Sequence, residues 1–253
     1  MEAIRPIQEY KEARDAQIQA NLIDMDLQIA THEYTERLVR TNAVKNHTWR
    51  GVPIIQYPGD LMVMQEIIWE VRPDIIIETG IAFGGMTKFY SDLQRSMGEE
   101  YRVLSIDINI RQHTRHVIMA EDLYNTDVIE GSSISLNVIE EVKSLCGIDD
   151  GVGRKVLVSL DSNHTHDHVF RELELYAPLV SVGSYIVVFD TAIEFFSYLD
   201  KNQDRPWGEG NNPWTAVQAF LKTDMGKNFV IDKEVEQRAG ATAAIDGWLK
   251  RII

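Results

Sequence analysis

Cysteine is almost absent. Cys146 is the single one in 253 residues. One thiol cannot close an internal disulfide, which fits a reducing compartment and sets a cytoplasmic expectation. No apolar run approaches the roughly 18 residues that span a bilayer, so no membrane partner is expected. The start of the chain is mixed-charge (Arg5, Glu9, Lys11, Glu12, Arg14) and lacks the apolar stretch of a secretory leader. Basic runs are missing too. The formal net charge is −14, so a polyanion such as DNA is repelled on average and no nucleic-acid partner is expected. A small phosphorylated substrate senses only the local field. Arg111, Arg115 and His116 offer a local positive patch, or simply a solvated helix face. There is no internal repeat, low-complexity tract or Pro/Ser-rich linker.

What is present suits one large α/β domain with an appendage. The hydrophobic fraction of 44% is enough for a sizeable core. Residues 8–40 read as helical, with Ile18, Leu22, Met25 and Ile29 forming one apolar stripe. Residues 41–59 read as a loop. Asp60 is a plausible N-cap for a helix carrying Leu61, Met64, Ile68 and Val71, which Pro73 stops. The chain therefore divides into an N-terminal helical extension with its loop (1–59) and an α/β domain (60–253). Short apolar strands then alternate with helices. Strands are expected at 74–78, 102–107, 127–130, 155–161 and 184–190. Helices are expected near 86–97, 111–123, 135–146 and 166–178, with a glycine-rich turn at 149–153. This alternation predicts βαβ units and a Rossmann-like, doubly wound, mostly parallel sheet.

Such sheets bind ligands outside the carboxyl ends of their strands. The residues there are Glu78 to Gly80, Asp107, Gly131 to Ser133, Asp161 to His164, and Asp190 with Thr191. Each acid could cap a helix, but a purely structural sheet has no need for so many carboxylates on one rim. Gly80 and the pair Gly84-Gly85 follow Glu78, a turn whose amides can approach a ligand closely. The spacing Glu-x-Gly-x-x-x-Gly-Gly lacks the second glycine of the dinucleotide fingerprint. Asp107 is placed to accept from ribose hydroxyls, as in other nucleoside-binding folds. Asp161 and Asp190 end neighbouring segments and can converge on a hard divalent cation such as Mg²⁺. A zinc site from His164, His166 and His168 is the rival. His164 lies three residues past Asp161, where a neutral imidazole suits proton abstraction from a hydroxyl; the plainer reading is a packed loop histidine. His166 and His168 read as solvent or helix-start residues. Trp49, Tyr57, Phe195, Phe196, Trp207 and Trp214 could line an acceptor pocket or pack a lid or subunit contact. The segment 204–213 reads as a mobile loop over the strand ends, followed by a helix through Ala216, Phe220 and Leu221.

Taken together these fragments resemble a known family. The residues are Glu78-Thr-Gly-Ile-Ala-x-Gly-Gly, Ser105-Ile-Asp-Ile, Leu160-Asp-Ser-x-His-Thr-x-x-His168 and Tyr185-Ile-Val-Val-x-Asp-Thr191. Trp49-x-Gly-Val-Pro-Ile, Tyr57-Pro-x-Asp60, Asn212-Pro-Trp-x-Ala-Val217 and Gly247-Trp-Leu-Lys-Arg251 add to them. The chain resembles the cephalosporin hydroxylase / rhamnosyl O-methyltransferase family of class I S-adenosylmethionine-dependent methyltransferases, from about residue 47 onward. The resemblance implies S-adenosylmethionine, Mg²⁺ or another divalent cation, a sugar or natural-product hydroxyl as small-molecule acceptor, and a homo-oligomer. It puts Gly80 and Gly85 at the methionine portion, Asp107 at the ribose, and Gly131, Ser132 and Ser133 beside the adenine. The cofactor set is then Glu78, Gly80, Gly85, Asp107, Ser132, Ser133 and Asp161. The resemblance assigns Asp161 and Asp190 to the metal, and His164 with Asp161 is the catalytic pair that the residues themselves lead us to expect. One departure stands out. The family tends to carry two adjacent acids where this chain has Phe189-Asp190. The alternatives are an NAD-dependent sugar oxidoreductase and a catalytically silent cofactor-binding subunit.

Overall fold

The computed structural model describes residues 5–98, 101–120, 123, 125–147, 153–199 and 204–253. The expected turn from Asp149 lies largely outside them. Seven strands form one sheet: β1 (Ile75–Thr79), β2 (Arg102–Asp107), β3 (Thr126–Glu130), β4 (Val156–Leu160), β5 (Tyr185–Val188), β6 (Phe229–Ile231) and β7 (Trp248–Arg251). Their order is β3-β2-β1-β4-β5-β7-β6. The first five are parallel, and β7 runs antiparallel to both of its neighbours. The sheet is thus mostly parallel with an antiparallel edge, and the Rossmann-like expectation holds.

β1 and β4 are buried along their whole length. That is why their sequences show unbroken apolar runs instead of alternation. One face (Ile77, Leu104, Ile106, Val158, Leu160) packs against α6 (Leu136–Cys146), α7 (His166–Tyr176) and α9 (Pro213–Phe220). The other (Ile76, Val103, Leu157, Val187) packs against α3 (Pro58–Val71), α4 (Gly85–Ser96) and α10 (Lys233–Ala239). Each such side chain stabilises the fold by about 1.5–3 kcal/mol through burial. The chain leaves β1 towards β2 on one side and returns to β4 on the other. The rim between β1 and β4 is therefore the switch point where ligands bind.

Three local expectations are corrected. The segment 8–40 is two helices, α1 (Arg5–Leu22) and α2 (Met25–Arg40). Asp24 breaks it by accepting from Leu27 N, a side-chain cap that competes with helix continuation. The supposed apolar stripe is mostly outward: Ile18 is buried, whereas Met25 and Ile29 are exposed. Asp60 does not cap α3. Tyr57 occupies that place with Pro58 following, and Asp60 is a buried residue of the first turn that accepts from Ala243 N at 2.9 Å. Of the basic trio, Arg115 sits in α5 (Gln112–Ala120) and pairs with Glu130 on the outside. Residues 229–231 and 248–251 carry too short a pattern to read as strands.

Candidate functional site

β1 ends in a turn that Asp107 organises. Its Oδ2 accepts from Ile81 N at 2.9 Å and Ala82 N at 3.3 Å, and its Oδ1 accepts from Asn109 N at 3.0 Å. The acid at the end of β2 thus pins the glycine turn while lining a cleft of about 250 Å³. Gly80, Ile106, Ile108, Gly131, Ser132, Ser133, Ser162, Asn163 and His168 line it with Asp107. Four of the expected cofactor residues therefore share one cleft: Gly80, Asp107, Ser132 and Ser133.

The other expected cofactor residues lie outside that lining. Glu78 is buried, accepting from Thr87 Oγ1 at 2.6 Å and Ser105 Oγ at 2.5 Å, while its Oε1 has no partner. Burial pushes its carboxyl up to about 7 against the two hydroxyl donors, with the Asp107 charge adding to the rise. Gly80 sits at φ +90°, where a Cβ would lie 2.0 Å from Asp161 O. Gly85 opens α4, and a Cβ there would lie 2.2 Å from Pro53 O. Both glycines are required by a neighbouring protein backbone, a reason that the sequence alone does not reveal.

Beside the cleft, Asp161, His164 and Asp190 offer one donor atom each, all within 4.8 Å of one another. None of them is a helix cap; Thr165 and Ala192 fill those places for α7 and the short α8 (Ile193–Phe196). His164 Nε2 is 3.1 Å from Asp190 Oδ2. Burial holds Asp161 well above the ordinary carboxylate range, and the charges of Asp190, Glu78 and Glu172 push the same way. Gln56 opposes this by donating from Nε2 to Asp161 Oδ2 at 3.0 Å, leaving its own buried Oε1 without a partner. Asp190 adopts φ +56°, a conformation that costs a non-glycine residue energy. Two crowded carboxylates, an imidazole and an unsatisfied carboxamide oxygen suit a divalent cation. Phe189 takes no part. It is 2% exposed and stands edge-on to Trp248 in the core.

Trp207 covers His164 edge-on, ring centroids 4.8 Å apart, and its buried indole Nε1 has no partner. It comes from the 204–213 loop, which does lie over the strand ends. The loop is braced: Asn212 Nδ2 donates to Gly208 O at 2.8 Å and to Glu194, and Asn211 Oδ1 accepts from His166 N at 3.0 Å. The other expected aromatics scatter. Trp49 bonds Asp92, Phe196 packs tilted against His32, and Phe195 meets Trp214. His166 bonds Thr215 across to α9, so the histidine trio does not converge on zinc. Gln56 and Glu172 escaped the sequence reading; His168 does lie at a helix start, as read, but lines the cleft. Gln56 follows two isoleucines in a loop, and nothing in its type or spacing marks it.

A profile of the family described as Rhamnosyl O-methyltransferase/CmcI matches residues 41–252. A rhamnosyl O-methyltransferase of Mycobacterium tuberculosis (strain ATCC 25618 / H37Rv) is 28% identical over 204 residues, covering 81% of this chain and 78% of that protein. One from Mycobacterium leprae (strain TN) is 29% identical over 204 residues, covering 81% and 82%. The apo structure of CmcI superposes with a TM-score of 0.60 at 21% identity, over 83% of this chain and 77% of that one. A CmcI structure with Mg and SAM gives 0.57 at 22% identity, over 83% and 78%. These structures share the fold. With the profile spanning most of its length, this chain belongs to the Rhamnosyl O-methyltransferase/CmcI family of O-methyltransferases.

Proposed function

We propose that this chain transfers a methyl group from S-adenosylmethionine to a hydroxyl of a sugar or natural-product acceptor, assisted by Mg²⁺. The observation that carries this reading is the Asp161–His164–Asp190 cluster standing beside the Asp107 cleft at the sheet's switch point. Bound S-adenosylmethionine supplies an electrophilic methyl, and a bound cation lowers the pKa of a coordinated hydroxyl. The chain's own residues do the rest. Asp107 and the Gly80 turn receive the nucleoside, with Ser132 and Ser133 at its base. Glu78 and Gly85 act from behind, by fixing the turn and the start of α4. Asp161 and Asp190 would hold the cation; Gln56, bonded to Asp161 through Nε2, keeps its Oε1 unpaired. His164 takes the acceptor's proton as the C–S bond breaks and the O–C bond forms. The neighbouring Asp190 carboxylate stabilises the imidazolium. Trp207 shields the ring from water and offers its free N–H to the acceptor.

In this reading residues 60–253 carry the cofactor site, and 1–59 contribute the acceptor side through Gln56 and Tyr57. A cytoplasmic homo-oligomer fits the reading; no helix among the described residues is long and apolar enough to cross a membrane. The curated mycobacterial relatives are named for a rhamnosyl acceptor, so rhamnosides head the acceptors to try. The experiment follows labelled methyl from S-adenosylmethionine into a panel of rhamnosides and other glycosides. His164→Ala should cut turnover by on the order of 10²–10⁴ while leaving cofactor binding intact. Prior chelation should stop transfer, and added Mg²⁺ should restore it. An unchanged rate in the His164 variant removes the residue from the mechanism, and transfer that survives exhaustive chelation removes the metal.

A further inference from the structure

Of Asp161, His164 and Asp190, only Asp190 has a positive φ. A non-glycine residue keeps that conformation only where its surroundings over-determine it. The residues after it show what does so. Thr191 is fully buried, and its Oγ1 donates to Ala243 O at 3.2 Å. Ala192 N donates to the same oxygen at 3.2 Å. One carbonyl in the segment leading to β7 therefore anchors both positions that follow Asp190. Before the bend, Val188 N donates to Gly247 O at 2.9 Å. A Cβ on Gly247 would lie 2.1 Å from Val188 O, so the two backbones run in close contact.

Ala243 is itself held from the other side. Its N–H donates to Asp60 Oδ2 at 2.9 Å, and the Thr242 hydroxyl donates to the same carboxyl. Asp60 lies in the first turn of α3, whose Met64 and Ile67 are fully buried, so the anchor belongs to a rigid core element. The acid is 1% exposed, and its Oδ1 has no partner among the described residues. Burial pushes its carboxyl up to about 7 against donation from Thr242 and Ala243, and the Asp190 charge adds to the rise. A backbone N–H in the core needs only one neutral acceptor. An acid with an unpaired oxygen is a costly way to supply it.

We propose that Asp60 is a positioning residue for the metal site: through the backbone of Ala243 it holds Thr191 and Ala192, and with them the strained turn that presents Asp190 beside Asp161 and His164. This rests on the divalent-cation reading above, and Asp60 itself does not touch the cation. Hydrogen bonds behind a ligating carboxylate act in this way, because they fix where the ligand points before the ion arrives.

The test is the affinity of the full chain for Mn²⁺, read from the electron paramagnetic resonance signal of the free ion with no cofactor or acceptor present. Asp60→Ala removes the acceptor of both donors and should weaken Mn²⁺ binding by on the order of 10–100-fold. Asp60→Asn keeps an oxygen for Ala243 N and should bind nearly as the wild type does, which a loss of charge alone would not allow. Thr191→Val cuts the far end of the same relay and should also weaken binding. Combined with Asp60→Ala it should cost little more, since both changes break one connection. Circular dichroism shows which variants are folded; should Asp60→Ala not fold, Thr191→Val decides. Wild-type affinity in folded Asp60→Ala or in Thr191→Val overturns the proposal, as does an Asp60→Asn as weak as Asp60→Ala, and in each case the cation reading stands. A wild-type chain that takes up no Mn²⁺ overturns the cation reading and this proposal with it.

Discussion

At the scale of single residues, the rim acids differ in what burial does to them. Glu78 is enclosed, and two hydroxyl donors do not offset its loss of water, so its carboxyl titrates near 7. Its folded pKa lies above the ordinary value of 4.5. The resulting stability is complete below the ordinary value and is lost as pH rises through about 7. Stability of the free protein should therefore fall between pH 5 and pH 8. Glu78→Gln should flatten that fall, by on the order of 1–3 kcal/mol. Urea unfolding at the two pH values checks it; a wild type and a Glu78→Gln variant with identical pH slopes would contradict the account. Which residues could be read in advance follows from the same physics. Asp161, His164 and Asp190 were legible because strand ends are where polar groups have no structural duty. Gln56 and Glu172 were not, because their roles come from contacts across 105 and 10 positions of chain. Phe189 was legible only as a departure. The structure adds where its ring goes: into the core, against Trp248.

At the scale of elements, close backbone approach explains the glycine turn. The N-terminus of α4 lies so near the 53–54 segment that Gly85 has no room for a Cβ beside Pro53 O. This contact holds the strip carrying Gln56 and Tyr57 against the start of α4. Gly85→Ala should push that strip away, costing about 1–3 kcal/mol of stability as overpacking does. It should also raise the KM for acceptor and cofactor together. Denaturant midpoints and steady-state kinetics test this; wild-type values in both would show that the strip does not depend on Gly85. Across the parallel part of the sheet, short unbroken apolar runs marked the strands, and their alternation with helical segments made the architecture clear. The break at Asp24 and the buried Asp60 were not clear, because the same residue types serve as caps, breakers and core acids. The partner groups, Leu27 N in one case and Ala243 N in the other, decide between those roles. The antiparallel edge of β6 and β7 was unread because three- and four-residue strands carry too little periodicity to register.

At the scale of the whole molecule, one arrangement links the observations. A parallel sheet reverses its winding between β1 and β4. There it gathers the Asp107 cleft, a carboxylate–imidazole cluster and a tryptophan-bearing loop on one rim. The charge of −14 does not oppose this function, because the ligands are small and the cofactor's sulfonium is itself cationic. The central claim is that the cleft bounded by Asp107 and the Gly80 turn takes S-adenosylmethionine. Calorimetric titration of the full chain with that compound tests it most directly. We predict saturable binding at one site per chain, abolished by prior addition of S-adenosylhomocysteine. A titration that yields no binding heat across a range of temperatures, with the protein folded, would contradict it.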